Sequence, residues 1–155
     1  MAEIFKNYMS VTSTLGSEKV IVPAGVDGVS NTSLIADDSS YGENTRTRYS
    51  TVQVHSLYIT QAFLQQRCNG TSRYDEENFR RLDVFIVDTN NGNSSRIYIM
   101  HDVMLVPGSP YYIEKNITLT PSQKLCFELP SIAPNTNGDT NINIIASAIE
   151  FVDDE

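Results

Sequence analysis

The sequence predicts a single all-β domain, an antiparallel β-sandwich or jelly roll, and three features predict it. Apolar residues recur in short β-branched and aromatic runs rather than at helical spacing. Turn residues, among them Pro23-Ala24-Gly25, Pro107-Gly108 and Pro121-Ser122, separate those runs at hairpin distances. The chain of 155 residues has the length of one domain, able to bury roughly 68–70% of its unfolded surface without a metal or disulfide. About seven or eight strands follow from this spacing.

The elements follow in order. Residues 1–16 are apolar enough at Ile4, Phe5 and Tyr8 to dock on a neighbour but too short and too polar to form a core alone, and read as an N-terminal docking arm that orders only in the assembly. Residues 17–155 form the sandwich. Residues 18–22 make the first strand, which Pro23-Ala24-Gly25 ends. Residues 26–51 are polar and rich in Gly, Ser and Asp, a first long insertion. Residues 52–60 form the next strand. Its apolar parity shifts from Val52 and Val54 to Leu57 and Ile59, which requires a bulge between the two pairs. Residues 62–81 are a second insertion, mixed in charge, with room for one short helix capped by Asp75.

Leu82 to Asp88 is apolar on both parities, the pattern of a central strand buried on both sides. The Asn/Gly-rich turn after it leads into residues 96–100 as a hairpin partner. Residues 111–113, 117–120 and 124–129 are short strands. The last, residues 141–152, places Ile142, Ile144, Ala146 and Ala148 on one face and Ile145, Ile149 and Phe151 on the other. The small residues Ala146, Ser147 and Ala148 would let a facing sheet approach closely.

Charge narrows the function. Nineteen acidic residues against eleven basic ones give a net charge of −8. Nucleic-acid binding by phosphate neutralisation needs the opposite sign, and an anionic membrane would repel the chain. The opening residues lack a basic stretch followed by an apolar one, so no secretory leader is expected. No apolar run reaches the roughly 18 residues of a membrane span. Cys68 and Cys126 stand far apart in unrelated contexts and read as reduced thiols, one of them buried.

Catalytic constellations are not evident, and neither an enzyme nor a cofactor is expected. His55 and His101 fall within strands. Asp102 adjoins His101, but neighbouring strand residues point to opposite faces and cannot chelate one metal together. Asp88 to Asn93 opens like a calcium loop, yet Gly92 occupies a ligand position, Asn93 the glycine position and Ile99 the glutamate position. The acidic groups at 37–38, 75–77 and 153–155 read as solvated charge. No Trp is present to line a sugar cleft.

Tyrosine points to contact instead. There are eight, and the side chain joins a large stiff contact area to a polar tip. Tyr58 and Tyr98 read as core. The interface candidates are Ile4, Phe5, Tyr8, Tyr41, Tyr49, Tyr74, Phe79, Tyr111 and Tyr112.

Ordered segments carry a resemblance. Ala2-Glu-Ile-Phe-Lys-Asn-Tyr8, Lys19-Val-Ile-Val-Pro-Ala-Gly25 and Val54-His-Ser-Leu-Tyr-Ile-Thr60 come first. Leu82-Asp-Val-Phe-Ile-Val-Asp88, Ile99-Met-His-Asp-Val-Met-Leu-Val-Pro-Gly108, Ile117-Thr-Leu-Thr-Pro121, Lys124-Leu125 and Asn143-Ile-Ile-Ala-Ser-Ala-Ile-Glu150 follow. The set resembles small β-sandwich virion structural proteins of tailed bacteriophages, especially marine and cyanobacterial ones. Residues 26–51 and 62–81 depart from that pattern, which passes by short turns there. The resemblance implies a virion component made in the host cytoplasm and present in several copies. Its implied position is the neck or tail, as a collar or fibre-anchoring subunit, with head decoration as the alternative. The implied partners are further copies of itself and other virion proteins. A carbohydrate- or receptor-binding module is the reading from another class.

Overall fold

The computed structural model describes residues 2–12, 16, 18–26, 46–61, 79–91, 95–130 and 142–152. Among them nine strands form two antiparallel sheets: β1 (Ala2–Thr12), β2 (Lys19–Val22), β3 (Thr51–Gln61), β4 (Arg80–Asp88), β5 (Arg96–Leu105), β6 (Tyr111–Ile113), β7 (Ile117–Leu119), β8 (Gln123–Glu128) and β9 (Ile142–Val152). Sheet A runs β1-β9-β3-β6, with β7 also on β3, and sheet B runs β2-β8-β4-β5. Consecutive strands mostly switch sheets, and the last strand returns beside the first. That interleaving is the double Greek key of a jelly roll.

The inner faces carry the alternation that the sequence sets. Val52, Val54, Leu57 and Ile59 of β3 and Ile142, Ile144, Ala146 and Ala148 of β9 point inward. They meet Leu82 and Val84 of β4 and Leu125 and Phe127 of β8. The bulge of β3 lies where parity required it, between Val54 and Ser56. β4 is central in sheet B and is buried on both faces, because Phe85 and Val87 form a second cluster with Cys126 and Val20. The Cys126 thiol is free and buried, and burial pushes its pKa up to about 12.

Three expectations need correction. The N-terminal arm is part of the sandwich, since β1 pairs with β9 in unbroken register from Ala2 opposite Val152 to Thr12 opposite Ile142. The insertions give up their last residues to strands, Thr51 to β3 and Arg80 and Arg81 to β4, and Arg46 and Ser50 of the first are buried. Tyr58 and Tyr98 are not core residues but stand exposed. The expected hairpin is present, with β4 and β5 antiparallel across a connection that opens with a single 3-10 turn, Thr89–Asn91. Of the stretch 62–81 proposed to hold a helix, Arg80 and Arg81 are strand, and residues 62–78 with the cap Asp75 lie outside the described residues, as do Tyr41, Tyr74 and Cys68.

Candidate assembly surface

The outer face of sheet A forms cross-strand rows. Phe5 of β1 lies opposite Ile149 of β9, which lies opposite Gln53 of β3. The next row is Asn7, Ser147 and Ser56, followed by Met9, Ile145, Tyr58 and Tyr112. A polar band therefore runs between two apolar ones. Phe5 is 76% exposed, an apolar aromatic surface that none of the described residues covers. Tyr58 and Tyr112 pack edge to face with centroids 6.2 Å apart, and Tyr112 donates to Glu114 Oε1 at 3.2 Å. In the polar band Ser147 Oγ donates to Asn7 Oδ1 at 3.0 Å. His55 Nδ1 lies 3.1 Å from Asn116 Oδ1. Asn7, His55 and Ser147 line, with Phe5, an open depression of about 200 Å³.

Sheet B treats its outer face differently. Arg96 spreads its guanidinium 4.1 Å over the Phe85 ring, within 3.3 Å of Glu128 and 3.2 Å of Glu18. Those hydrogen bonds to Glu128 outweigh burial and raise its pKa further. The Tyr98 ring sits 5.7 Å from Phe85 and 4.5 Å from the imidazole of His101. The Phe85 ring is thus roofed by Arg96 and Tyr98, while Tyr98 itself stands exposed.

The edge of sheet B is bulged. Leu82 pairs with Val103 and Val84 with Met100, so His101 and Asp102 together face Asp83. Asp102 has φ 57°, and its N–H donates to Asp83 Oδ1 at 2.6 Å. His101 Nδ1 lies 3.1 Å from the same oxygen. The Asp102 carboxylate turns away to Arg81, 2.8 Å distant. The expectation that strand alternation sends His101 and Asp102 to opposite faces fails at this bulge, since both residues lie opposite Asp83 and their side chains take different partners there, Asp83 and Arg81. Among the described residues no three His, Cys, Asp or Glu side chains gather as metal ligands. Among the same residues no helix is long and apolar enough to cross a membrane.

One end of the sandwich is closed by a buried polar tie that the sequence reading missed. Arg46 is 2% exposed. Its Nη1 donates to the carbonyls of Pro23 and Gln123, both at 2.8 Å. Its Nη2 donates to Ser50, Leu119 and Thr120 carbonyls at 2.7, 3.0 and 2.8 Å, and Nε to Ser50 Oγ at 3.2 Å. One guanidinium thereby gathers the β2 exit, the approach to β3 and the β7–β8 turn. Beside it, fully buried Glu150 accepts from Thr47 N–H at 2.5 Å and Ser50 Oγ at 2.7 Å, with Lys6 Nζ 2.7 Å from its other oxygen. Burial alone would raise the Glu150 pKa, but Lys6, Ser50 and Thr47 outweigh it and hold the carboxyl below its usual range. Burial lowers the Arg46 pKa. Tyr8 lies in the same region, 1% exposed, and burial followed by the Glu150 charge drives its hydroxyl pKa upward.

The expected contact residues therefore divide. Phe5, Tyr49 and Tyr112 are well exposed, and Ile4 and Tyr111 stand at the margin of exposure. Phe79 is part-buried just before β4. Tyr8 is a correction, since alternation along β1 turns its ring into the core while Phe5 points out. Tyr49 sits at φ 61° under the Arg48 guanidinium, 5.0 Å from its ring centre.

No protein-family model matches the chain, and no curated protein matches it. Solved structures that align with it include a chain of the T13 viral particle of IBDV, at 10% identity and TM-score 0.42, covering 96% of this chain and 31% of that one. Others are chains of infectious bursal disease virus, from the Gt strain at 7% identity, TM-score 0.39 and coverage of 96% and 30%, and the Gx strain at 8%, 0.34 and coverage of 96% and 37%. The chain spans about a third of the length of each of these. At such identities and TM-scores the alignments assign neither family nor role.

Proposed function

We propose that this protein is a non-enzymatic structural subunit of a tailed-bacteriophage virion, assembling in several copies at the neck or tail as a collar or fibre-anchoring part. The observation that carries the reading is the asymmetry of the sandwich. On sheet B Arg96 covers the Phe85 ring, while sheet A leaves Phe5 76% exposed and the Tyr58–Tyr112 pair open beside a nearly uncharged band. A rigid β scaffold with one unroofed apolar face is suited to docking. The resemblance of the ordered strand-and-turn segments to those of phage virion proteins supports the particular setting, because a jelly roll by itself serves many roles.

Immunogold labelling of purified particles tests the reading. Label at the neck or tail is expected. Label on the head would replace the collar role with decoration, and particles free of the protein would overturn the proposal. A glycan array separates the carbohydrate-binding alternative, which predicts retention through Tyr58 and Tyr112.

A further inference from the structure

We infer that the outer face of sheet A is the site where a second copy of this chain packs, sheet against sheet, about a two-fold axis along the Asn7–Ser147–Ser56 row. This deepens the structural-subunit reading and rests on it for its biological setting. Three observations select a second copy.

The first is charge. A chain of net charge −8 repels its own copies over most approaches. The four outer rows from Glu3 to Met9 and their partners on β9 and β3 contain one formal charge, that of Glu3, and the fourth column adds Glu114 at the margin, bonded to Tyr112. Two like-charged molecules can meet there with little electrostatic penalty. The second is self-complementarity. An isologous contact must match itself, and the central row offers only amide and hydroxyl groups, which both donate and accept. An axis along that row lays Ser147 against its own mate and sets Ile149 of one copy over Ile145 of the other, apolar on apolar.

The third is area. Four strand columns at about 4.8 Å spacing and strands of eleven residues at about 3.3 Å per residue give a face of roughly 19 by 36 Å. Corrugation by side chains brings it near the ~800 Å² per partner of a standard stable interface. The unroofed Phe5 lies within that face.

Sedimentation equilibrium over a concentration series, on the full chain, tests the inference. The wild-type protein is expected to dimerise. Phe5→Thr and Ile149→Thr, which keep strand propensity, are expected to weaken dimerisation by roughly tenfold or more each with unchanged circular dichroism. In a Cys68→Ser background, Ser147→Cys is expected to form an intermolecular disulfide under mild oxidation. A wild-type protein that stays monomeric, or a dimer indifferent to Phe5 and Ile149, overturns the inference. So does a face protected from hydrogen exchange only on particles, which would assign it to another virion protein. The outcomes are separable from those of the proposed role. Labelled particles with a monomeric protein leave the role and remove the dimer, and a dimer absent from particles does the reverse.

Discussion

Replacing Arg46 with Ala is the most demanding test of how this sandwich is held together. The substitution removes six hydrogen bonds, five of them to backbone carbonyls of Pro23, Ser50, Leu119, Thr120 and Gln123. It leaves those acceptors facing a cavity and takes a cation from beside Glu150. Stranding the partner groups of a buried charge costs about 3–5 kcal/mol, a large share of the roughly 5–15 kcal/mol that holds a domain folded. For a domain of this size about 2–4 °C is lost per kcal/mol, so the melting temperature should fall by roughly 6–20 °C. Arg46→Lys should fall between the two, because one ammonium has three donors and cannot span carbonyls from three segments. Thermal unfolding followed by far-UV circular dichroism reads the effect. An Arg46→Ala protein that melts within about 2 °C of the wild type, under 1 kcal/mol on that scale, would refute the argument that this side chain ties the segments.

Other outcomes follow from the same structure. Glu150→Gln should cost about 1–3 kcal/mol at neutral pH by weakening the contacts to Lys6, Ser50 and Thr47. Because the folded carboxyl titrates below its usual range, its contribution is complete above the unfolded value of about 4.3 and disappears as pH falls through the folded one. Urea titrations at a series of pH values should therefore show wild type and Glu150→Gln converging in acid, and a constant gap would contradict the assignment. Gly25→Ala should destabilise by about 1–3 kcal/mol, since a Cβ there would lie 3.0 Å from both Arg46 Nε and the Thr47 carbonyl. A neutral effect in chemical denaturation would mean that the tie has slack. In a Cys68→Ser protein, Cys126 should react with a thiol reagent only as fast as the domain opens, given its burial and raised pKa. Rapid native-state labelling would show that sheet B breathes.

Much of the architecture was legible in side-chain parity. The shift between Val54 and Leu57 located the β3 bulge, and the unbroken apolar run of β4 announced burial on both faces. The same parity rule places Tyr58 outward, because Leu57 and Ile59 flank it and both point in; aromatic character obscured that signal. β1 was illegible for a physical reason. Its inward side carries Lys6, which looks like solvent-facing charge until Glu150 arrives from the far end of the chain to neutralise it. Arg46 sits in a polar stretch indistinguishable from loop, and most of its carbonyl partners lie outside it, with Leu119, Thr120 and Gln123 more than 70 residues away. The bands of the sheet A face could be read only in part. Parity along β9 gave Ile145 and Ile149, but their neighbours depend on the β1 and β3 registers.

Pairing β1 with β9 has a consequence for the birth of the molecule. Among the described strands β1 precedes all the others in the chain and β9 follows them, yet the two pair along their full length, with Ala2 opposite Val152. Until residues 142–152 leave the ribosome, β1 and β3 lack the strand that joins them. Completion of sheet A is therefore a late, non-local event, in the slow class of folding reactions where distant segments must find each other. In that interval two strand edges are open to other nascent chains, so yield should depend on how quickly the final strand is delivered.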